Sequence, residues 1–221
     1  MRIVIAGGHG RIALRLAALL EGRGDRPVGI IRRAEHEHDV RAVGAEPVLL
    51  DLESATLDQV VTVLDGADAV VFAAGAGPGS GAARKDTVDR GAAVLLADAA
   101  EAAGVRRYLM VSSMGADAQS GYDGDPVFRA YLRAKGAADD DLRARTQLAW
   151  TVLRPGSLRE EAGTGRVLLA EHTGRGSVSR DDVAAVLSEL LARPDTAGLT
   201  LELIAGNTPV REAVAEVASV A

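Results

Sequence analysis

The stretch that decides the fold is Met1-Arg2-Ile3-Val4-Ile5-Ala6-Gly7-Gly8-His9-Gly10-Arg11-Ile12-Ala13. Residues 2–6 are a short, β-branched apolar run, the pattern of a strand buried on both faces. The run ends at once in Gly7-Gly8. From Arg11 to Glu21, apolar residues recur at Ile12, Leu16, Leu19 and Leu20, a helical spacing that Gly22 and Gly24 stop. A strand feeding a helix through G-x-x-G-x-x-A is aimed at the free N–H groups of that helix, and such a terminus attracts phosphate. Glycine lets the backbone turn sharply and approach a pyrophosphate, while the small Ala13 lets helix and strand pack closely. The plain alternative is a strand–helix turn with no ligand. The motif's place at the head of a strand–helix series favours a dinucleotide. No Gly-Lys-Ser/Thr follows, which argues against a mononucleotide phosphate loop.

Further strands are expected at about 28–31, 48–50, 69–74, 107–112, 149–154 and 200–204. Helical patterns fall at about 54–64, 86–103, 127–145, 180–192 and from Val210. Strict alternation with short connections predicts right-handed βαβ units: an α/β fold, doubly wound, with helices on both faces of a parallel sheet. Ser179 with Asp182 three residues later marks one helix start, and Thr208-Pro209 another. Residues 75–81 (GAGPGSG) and then 120–126 (SGYDGDP) are expected to be the most flexible stretches.

Composition narrows the function. The 221 residues fit one large domain or two small ones. With 25 Lys+Arg against 31 Asp+Glu, the net charge of −6 argues against nucleic acid as a partner. The absence of Cys excludes disulfides, thiolate metal sites and cysteine nucleophiles. The N-terminal apolar run is too short for a secretory signal, and no run approaches the roughly 18–20 apolar residues of a membrane helix. The expectation is a soluble, cytoplasmic protein that acts on a small-molecule substrate as a monomer or homodimer. Of the 25 basic residues only Lys85 and Lys135 are lysines, and Ala fills 41 positions. This reads as a coding bias toward Arg and Ala, so a lone Arg is a weak signal and a Lys a stronger one.

The predicted cofactor loop is Gly7, His9, Gly10, Arg11 and Ile12, with Arg11 able to reach the phosphates. The end of the second strand selects the dinucleotide. An NAD site wants Asp or Glu there for the ribose 2′-hydroxyl. This chain has Arg32-Arg33, and a guanidinium fork matches a 2′-phosphate, so NADP(H) is preferred over NAD(H). The plain alternative is two solvent-facing arginines in an Arg-rich chain. Asp51-Leu52 follows the third strand, where Asp can bond the adenine amino group and Leu can pack on the ring. Ala73-Ala74-Gly75, after the fourth strand, is small enough to pass beside a cofactor.

The fifth strand ends in Ser112-Ser113, placed to meet cofactor and substrate oxygen. Tyr131 and Lys135 lie four apart on one helix, hence on one face. A lysine ammonium beside a phenol lowers its pKa and readies it for proton transfer, and it can also hold the nicotinamide ribose. The plain alternatives are a surface Tyr/Lys pair and a polar strand end. His36-Glu37-His38-Asp39 and Asp139-Asp140-Asp141 read most simply as solvated charged surface, and Trp150 as core.

With these pieces in order, the chain resembles the small NAD(P)-binding branch of the atypical short-chain dehydrogenase/reductase family. The matching segments are GGHGRIA at 7–13, DL at 51–52, AAGAG at 73–77 and KDTVDRGAA at 85–93. They continue with AGVRRYLMVSSMGAD at 103–117, YLRAKGAADDDLR at 131–143, WTVLRPGSL at 150–158, GTGRV at 163–167 and SRDDVAAVL at 179–187. The resemblance implies a Rossmann-type core over about 1–155 and a small C-terminal substrate cap over about 156–221, together one NAD(P)-binding domain. The wider group includes flavin and biliverdin-type reductases, quinone reductases, sugar-nucleotide epimerases and cofactor-sensing regulators. Three departures stand out, the first being that Tyr131 lies 18 residues after Ser113 with a Gly-rich insertion between them. The Asn of the four-residue catalytic set is missing, since the only Asn is Asn207. The biliverdin/flavin reductases use a His after strand 6, where this chain has Glu160-Glu161. The reading that fits best is an NADP(H)-dependent oxidoreductase acting on a small carbonyl, quinone or flavin-like acceptor through Ser113, Tyr131 and Lys135. The alternatives are a non-catalytic NADP(H)-sensing protein and a sugar-nucleotide epimerase or dehydratase.

Overall fold

The computed structural model describes residues 1–77 and 79–219. Pro78, inside the stretch expected to be most flexible, lies outside the described residues. The chain begins with β1 (Arg2–Ala6), α1 (Arg11–Gly22), β2 (Arg26–Ile31), α2 (Glu37–Ala42), β3 (Glu46–Leu49), α3 (Leu57–Leu64) and β4 (Ala69–Phe72). A short α4 (Ala82–Arg84) then runs through π-helical turns at Lys85–Ala92 into α5 (Ala93–Ala102). Next come β5 (Arg107–Val111), α6 (Pro126–Ala144), β6 (Ala149–Pro155), β7 (Ser157–Arg159), β8 (Arg166–Ala170) and β9 (Ser177–Ser179). The chain closes with α7 (Arg180–Leu191), β10 (Leu199–Ala205), β11 (Thr208–Pro209) and α8 (Val210–Ala218).

Among the described residues the main sheet runs β11-β8-β10-β6-β5-β4-β1-β2-β3. From β3 to β10 every neighbouring pair is parallel, while β8 pairs antiparallel with both β10 and β11. The inner order 3-2-1-4-5-6 is that of a Rossmann dinucleotide-binding sheet. Side chains alternate across it, as the strand period requires. Ile3 and Ile5 join Leu16, Leu187 and Val214 on the face covered by α1, α7 and α8. Val4 and Ala6 join Val60, Leu96 and Leu142 on the face covered by α3, α5 and α6. The cluster on the α1, α7 and α8 face therefore joins residues of the cofactor half to residues after β6.

The structure departs from the sequence expectation mainly past residue 155. That segment extends the sheet through β10, β8 and β11. In β8 Val167 and Leu169 are buried while Arg166 and Leu168 are exposed, so the strand has one wet face. Pro209 lies in β11 and immediately precedes α8, so Thr208 does not cap that helix. Ser179 does cap α7: its Oγ accepts the Asp182 amide at 2.9 Å. The Asp182 carboxylate in turn accepts the amides of Thr164 and Gly165, which ties the GTGR loop to α7. The helix at 54–64 starts later, at Leu57, behind a Thr56–Gln59 capping box.

Candidate functional site

The strand order reverses between β1 and β4, and in such sheets ligands settle in the crevice at the carboxyl ends of those strands. Two tight approaches shape it. Gly7 has φ +78°, and a Cβ there would lie 2.7 Å from the Ala74 Cα. At Gly8 a Cβ would lie 2.5 Å from the Gly29 Cα, so the turn presses between β4 and β2. Gly10 precedes α1 with no side chain to cap it, and the first turn carries no carboxylate. By contrast, Thr56, Asp125 and Ser179 cap α3, α6 and α7. The opening turn of α1 thus presents backbone N–H groups at the switch point, the cradle that suits a pyrophosphate. These residues fit a nicotinamide dinucleotide.

The adenosine end is strongly charged. Arg32 and Arg33 follow β2, and Arg32 Nη1 lies 3.8 Å from Glu53 Oε2. Glu53 is also bonded to Arg84 and accepts the Thr87 hydroxyl at 2.8 Å. The Arg84 hydrogen bond holds its carboxyl below the usual range. Arg33 Nη1 lies 3.1 Å from Glu35 Oε1, and Arg33 Nη2 lies 2.8 Å from His36 Nε2. His9, from the glycine turn, stacks on His36 with ring centroids 3.7 Å apart, and its Nε2 bonds Asp39 Oδ2 at 2.8 Å. The His36–Asp39 segment is therefore organised against the glycine turn and is not merely solvated surface. Asp51 is exposed and accepts the Glu53 amide at 3.0 Å, while Leu52 packs on the core beside it.

The sequence directs Arg11 toward the phosphates. Its guanidinium pairs with Glu160, which also pairs with Arg180 and lies 3.8 Å from Arg15. The Arg11 hydrogen bond holds the Glu160 carboxyl below the usual carboxylate range. Glu160 thus tethers the segment after β6 to the start of α1.

At the other end of the crevice, Ser113 is half-buried, and its Oγ donates to the neighbouring Met114 carbonyl at 3.3 Å. Ser112 points inward and donates to Asp139 Oδ2 at 2.8 Å. Asp139 is fully buried and takes Arg154 Nη2 at 2.8 Å. Burial pushes its carboxyl up, and Arg154 holds it back. Within the Asp139-Asp140-Asp141 run, the expectation of an exposed face holds for Asp140 but not for Asp139.

Lys135 is also buried. Its Nζ donates to Val111 O at 3.0 Å and Ala74 O at 3.3 Å, with Asp89 Oδ1 at 3.5 Å. Asp89 comes from the π-helical turns, is fully buried, and accepts the Ala76 amide at 3.2 Å. Lys135 and Asp89 thus clamp the backbone of Ala74–Ala76, the wall of the crevice. The ammonium is not directed at the Tyr131 phenol. The Tyr131 ring instead stacks with Phe128 at 5.8 Å, beneath Lys85 Nζ at 5.4 Å. Phe128 meets Tyr122 edge-on at 5.2 Å. The sequence reading missed Asp89, Asp139 and Arg154. A usable signal for Asp139 was its register, since Leu132, Lys135, Asp139 and Leu142 all lie on the buried stripe of α6.

Comparison with known proteins identifies the family and the fold. Residues 7–194 match the family described as NAD(P)H-binding. A Bacillus subtilis relative, the uncharacterized sugar epimerase YhfK, is 34% identical over 97% of this chain and 99% of its own length. A solved Bacillus halodurans structure, provisionally named an NAD-dependent epimerase/dehydratase, is 36% identical with a TM-score of 0.89, covering 98% of this chain and 99% of that one. The oxidoreductase ylbE from Lactococcus lactis is 27% identical with a TM-score of 0.86, covering 99% and 97% of the two chains. No helix among the described residues is long and apolar enough to cross a membrane. The chain is a member of the NAD(P)H-binding family, with the Rossmann-like fold of an oxidoreductase.

Proposed function

We propose that the protein is an NADP(H)-dependent oxidoreductase that reduces a small, flat carbonyl, quinone or flavin-like acceptor. The observation that carries the cofactor half is the pair of guanidinium groups, Arg32 and Arg33, directly after β2. The observation that favours a flat acceptor is aromatic. The chain has only six aromatic residues, and three of them, Tyr122, Phe128 and Tyr131, gather around the start of α6. Tyr122 and Phe128 are 42% and 41% exposed, in a chain that buries its other large rings more deeply. Exposed rings offer stacking to a planar partner. Lys85 above Tyr131 adds a cation for an anionic edge.

When bound, the reduced nicotinamide supplies the hydride. Ser113 orients the acceptor oxygen through its hydroxyl. Tyr131 supplies the proton that completes the two-electron reduction. Lys135 acts through backbone, holding the crevice wall by Ala74 and Val111. Asp51 and Leu52 hold the adenine, and Gly7, His9, Gly10, Ile12, Ala73, Gly75 and Ser112 border the cofactor. The YhfK name favours a second reading, sugar epimerisation. It is the weaker one, because the residues after β6 extend and back the sheet, leaving little chain to enclose a nucleotide sugar.

Fluorescence titration tests the cofactor half. Replacing Arg32 and Arg33 together with Ala should weaken NADPH about tenfold or more, the effect of losing a charge-assisted bond of roughly 1.5–3 kcal/mol. NADH should change by less than about threefold, since neither arginine meets a phosphate in that complex. Equal losses for both cofactors would remove the 2′-phosphate role. With an accepted substrate, Tyr131→Phe should lower kcat about 100-fold or more, the usual range for a lost general acid. An unchanged rate would take Tyr131 out of the mechanism.

A further inference from the structure

We propose that the stacked His9–His36 pair is a proton-linked selector for the 2′-phosphate, so that NADPH binding takes up a proton and NADH binding does not. The inference rests on the NADP(H) reading above and extends it to residues outside the arginine pair.

The hydrogen bonds impose the linkage. A guanidinium only donates. Arg33 Nη2 at 2.8 Å from His36 Nε2 therefore requires a lone pair on that nitrogen, and His36 must be neutral while it accepts this bond. The ring has little freedom to leave: its side chain is 14% exposed and lies flat on His9, with 10° between the ring planes. Burial, then His9 and Arg33, keep its pKa below the usual imidazole range. The carboxylates opposing them are Glu35, with Oε1 at 3.9 Å from His36 Nε2, and Asp39, held by His9. His38 also bears on Asp39, whose carboxyl pKa is lowered chiefly by the His9 hydrogen bond.

The free protein thus has Arg33 occupied on one side by Glu35 and on the other by His36. A 2′-phosphate carries nearly two negative charges and several acceptor oxygens. It replaces the Glu35 carboxylate on Arg33 and gives Arg33 a better acceptor than imidazole. Once released, His36 Nε2 can bind a proton and donate it toward the same phosphate. His9, joined to the glycine turn and balanced by Asp39, keeps the imidazole in place. The ribose hydroxyl of NADH brings no charge to drive any of this.

A ligand that raises a group's pKa binds more tightly as the pH falls toward that raised value. For one proton the limit is about tenfold in affinity per pH unit. From pH 8.5 to 7.0, above the range where the phosphate itself protonates, the NADPH Kd should fall about five- to tenfold, and the NADH Kd should stay within about twofold.

The experiment is isothermal titration of NADPH and NADH into the full chain in two buffers of different ionisation enthalpy, which counts protons directly. The wild-type protein should take up about half a proton or more per NADPH at pH 7.5 and close to none with NADH. His36→Gln, which retains an acceptor for Arg33, should abolish the uptake and flatten the pH dependence. NADPH preferred over NADH with no proton uptake would overturn the selector while leaving the NADP(H) reading intact. Uptake that persists in His36→Gln would also overturn it. NADH bound as tightly as NADPH at every pH would defeat the NADP(H) reading itself.

Discussion

Lys135→Met is expected to be among the most damaging single changes in the chain. The ammonium is almost fully buried, with Asp89, also buried, at 3.5 Å. Removing it leaves the buried Asp89 carboxylate without its ammonium partner, and takes a donor from Val111 O and Ala74 O. Breaking a buried pair from one side costs about 3–5 kcal/mol, out of a total stability of roughly 5–15 kcal/mol. For a chain of this length that corresponds to a fall in Tm of about 6–20 °C, measurable by calorimetry. The double variant Lys135→Met/Asp89→Leu should recover most of the loss, because no charge is then stranded. It should not recover NADPH binding, since the Ala74–Ala76 backbone loses both of its anchors. A Lys135→Met protein as stable as wild type would show that the clamp is dispensable.

Gly7→Ala is expected to act on the site more than on the whole fold. Two penalties add: a left-handed backbone costs an L-residue about 1–2 kcal/mol, and overpacking a tight contact typically costs about 1–3 kcal/mol more. The new methyl would stand 2.7 Å from the Ala74 Cα, and its nearest neighbours are all backbone atoms of Ala73 and Ala74, with no flexible side chain to yield. The turn must then move away from β4, which spoils the N–H cradle at α1. NADPH binding should fall at least 100-fold, with a Tm loss of several degrees. Unchanged affinity would place the pyrophosphate elsewhere.

The glycine turn and the central strands could be read from the sequence because they depend on local chemistry. A β-branched run, two glycines and a 3.6-residue period need no partner to be recognised. What could not be read depends on tertiary contact. β7 and β9 are three residues each, too short for a period to show. α2 is a charged segment with one buried apolar residue, Val40, and carries almost no pattern. β8 alternates cleanly but sits behind a Gly-rich turn, and its partner β10 lies about thirty residues on.

The site shows the same division. Arg32, Arg33 and Ser113 stand where strand ends put them, so their placement follows from the topology. Lys135 was singled out by its rarity, and the structure gives that lysine a buried position. Its direction depended on Asp89, a residue delivered by π-helical turns that sequence spacing does not announce. The same holds for His9 and His36, which lie 27 positions apart (36 − 9) and meet only because the turn after β1 faces the segment after β2.

The most direct test of the proposed activity is anaerobic NADPH oxidation, followed at the nicotinamide absorbance, over a panel of quinones, flavins and flat aldehydes. Wild-type protein should oxidise NADPH in an acceptor-dependent manner, faster than NADH, with Ser113→Ala slowed about 100-fold through loss of one oriented hydrogen bond. Tight NADPH binding with no oxidation by any acceptor in the panel would contradict the oxidoreductase reading and leave a protein that binds the cofactor without turning it over.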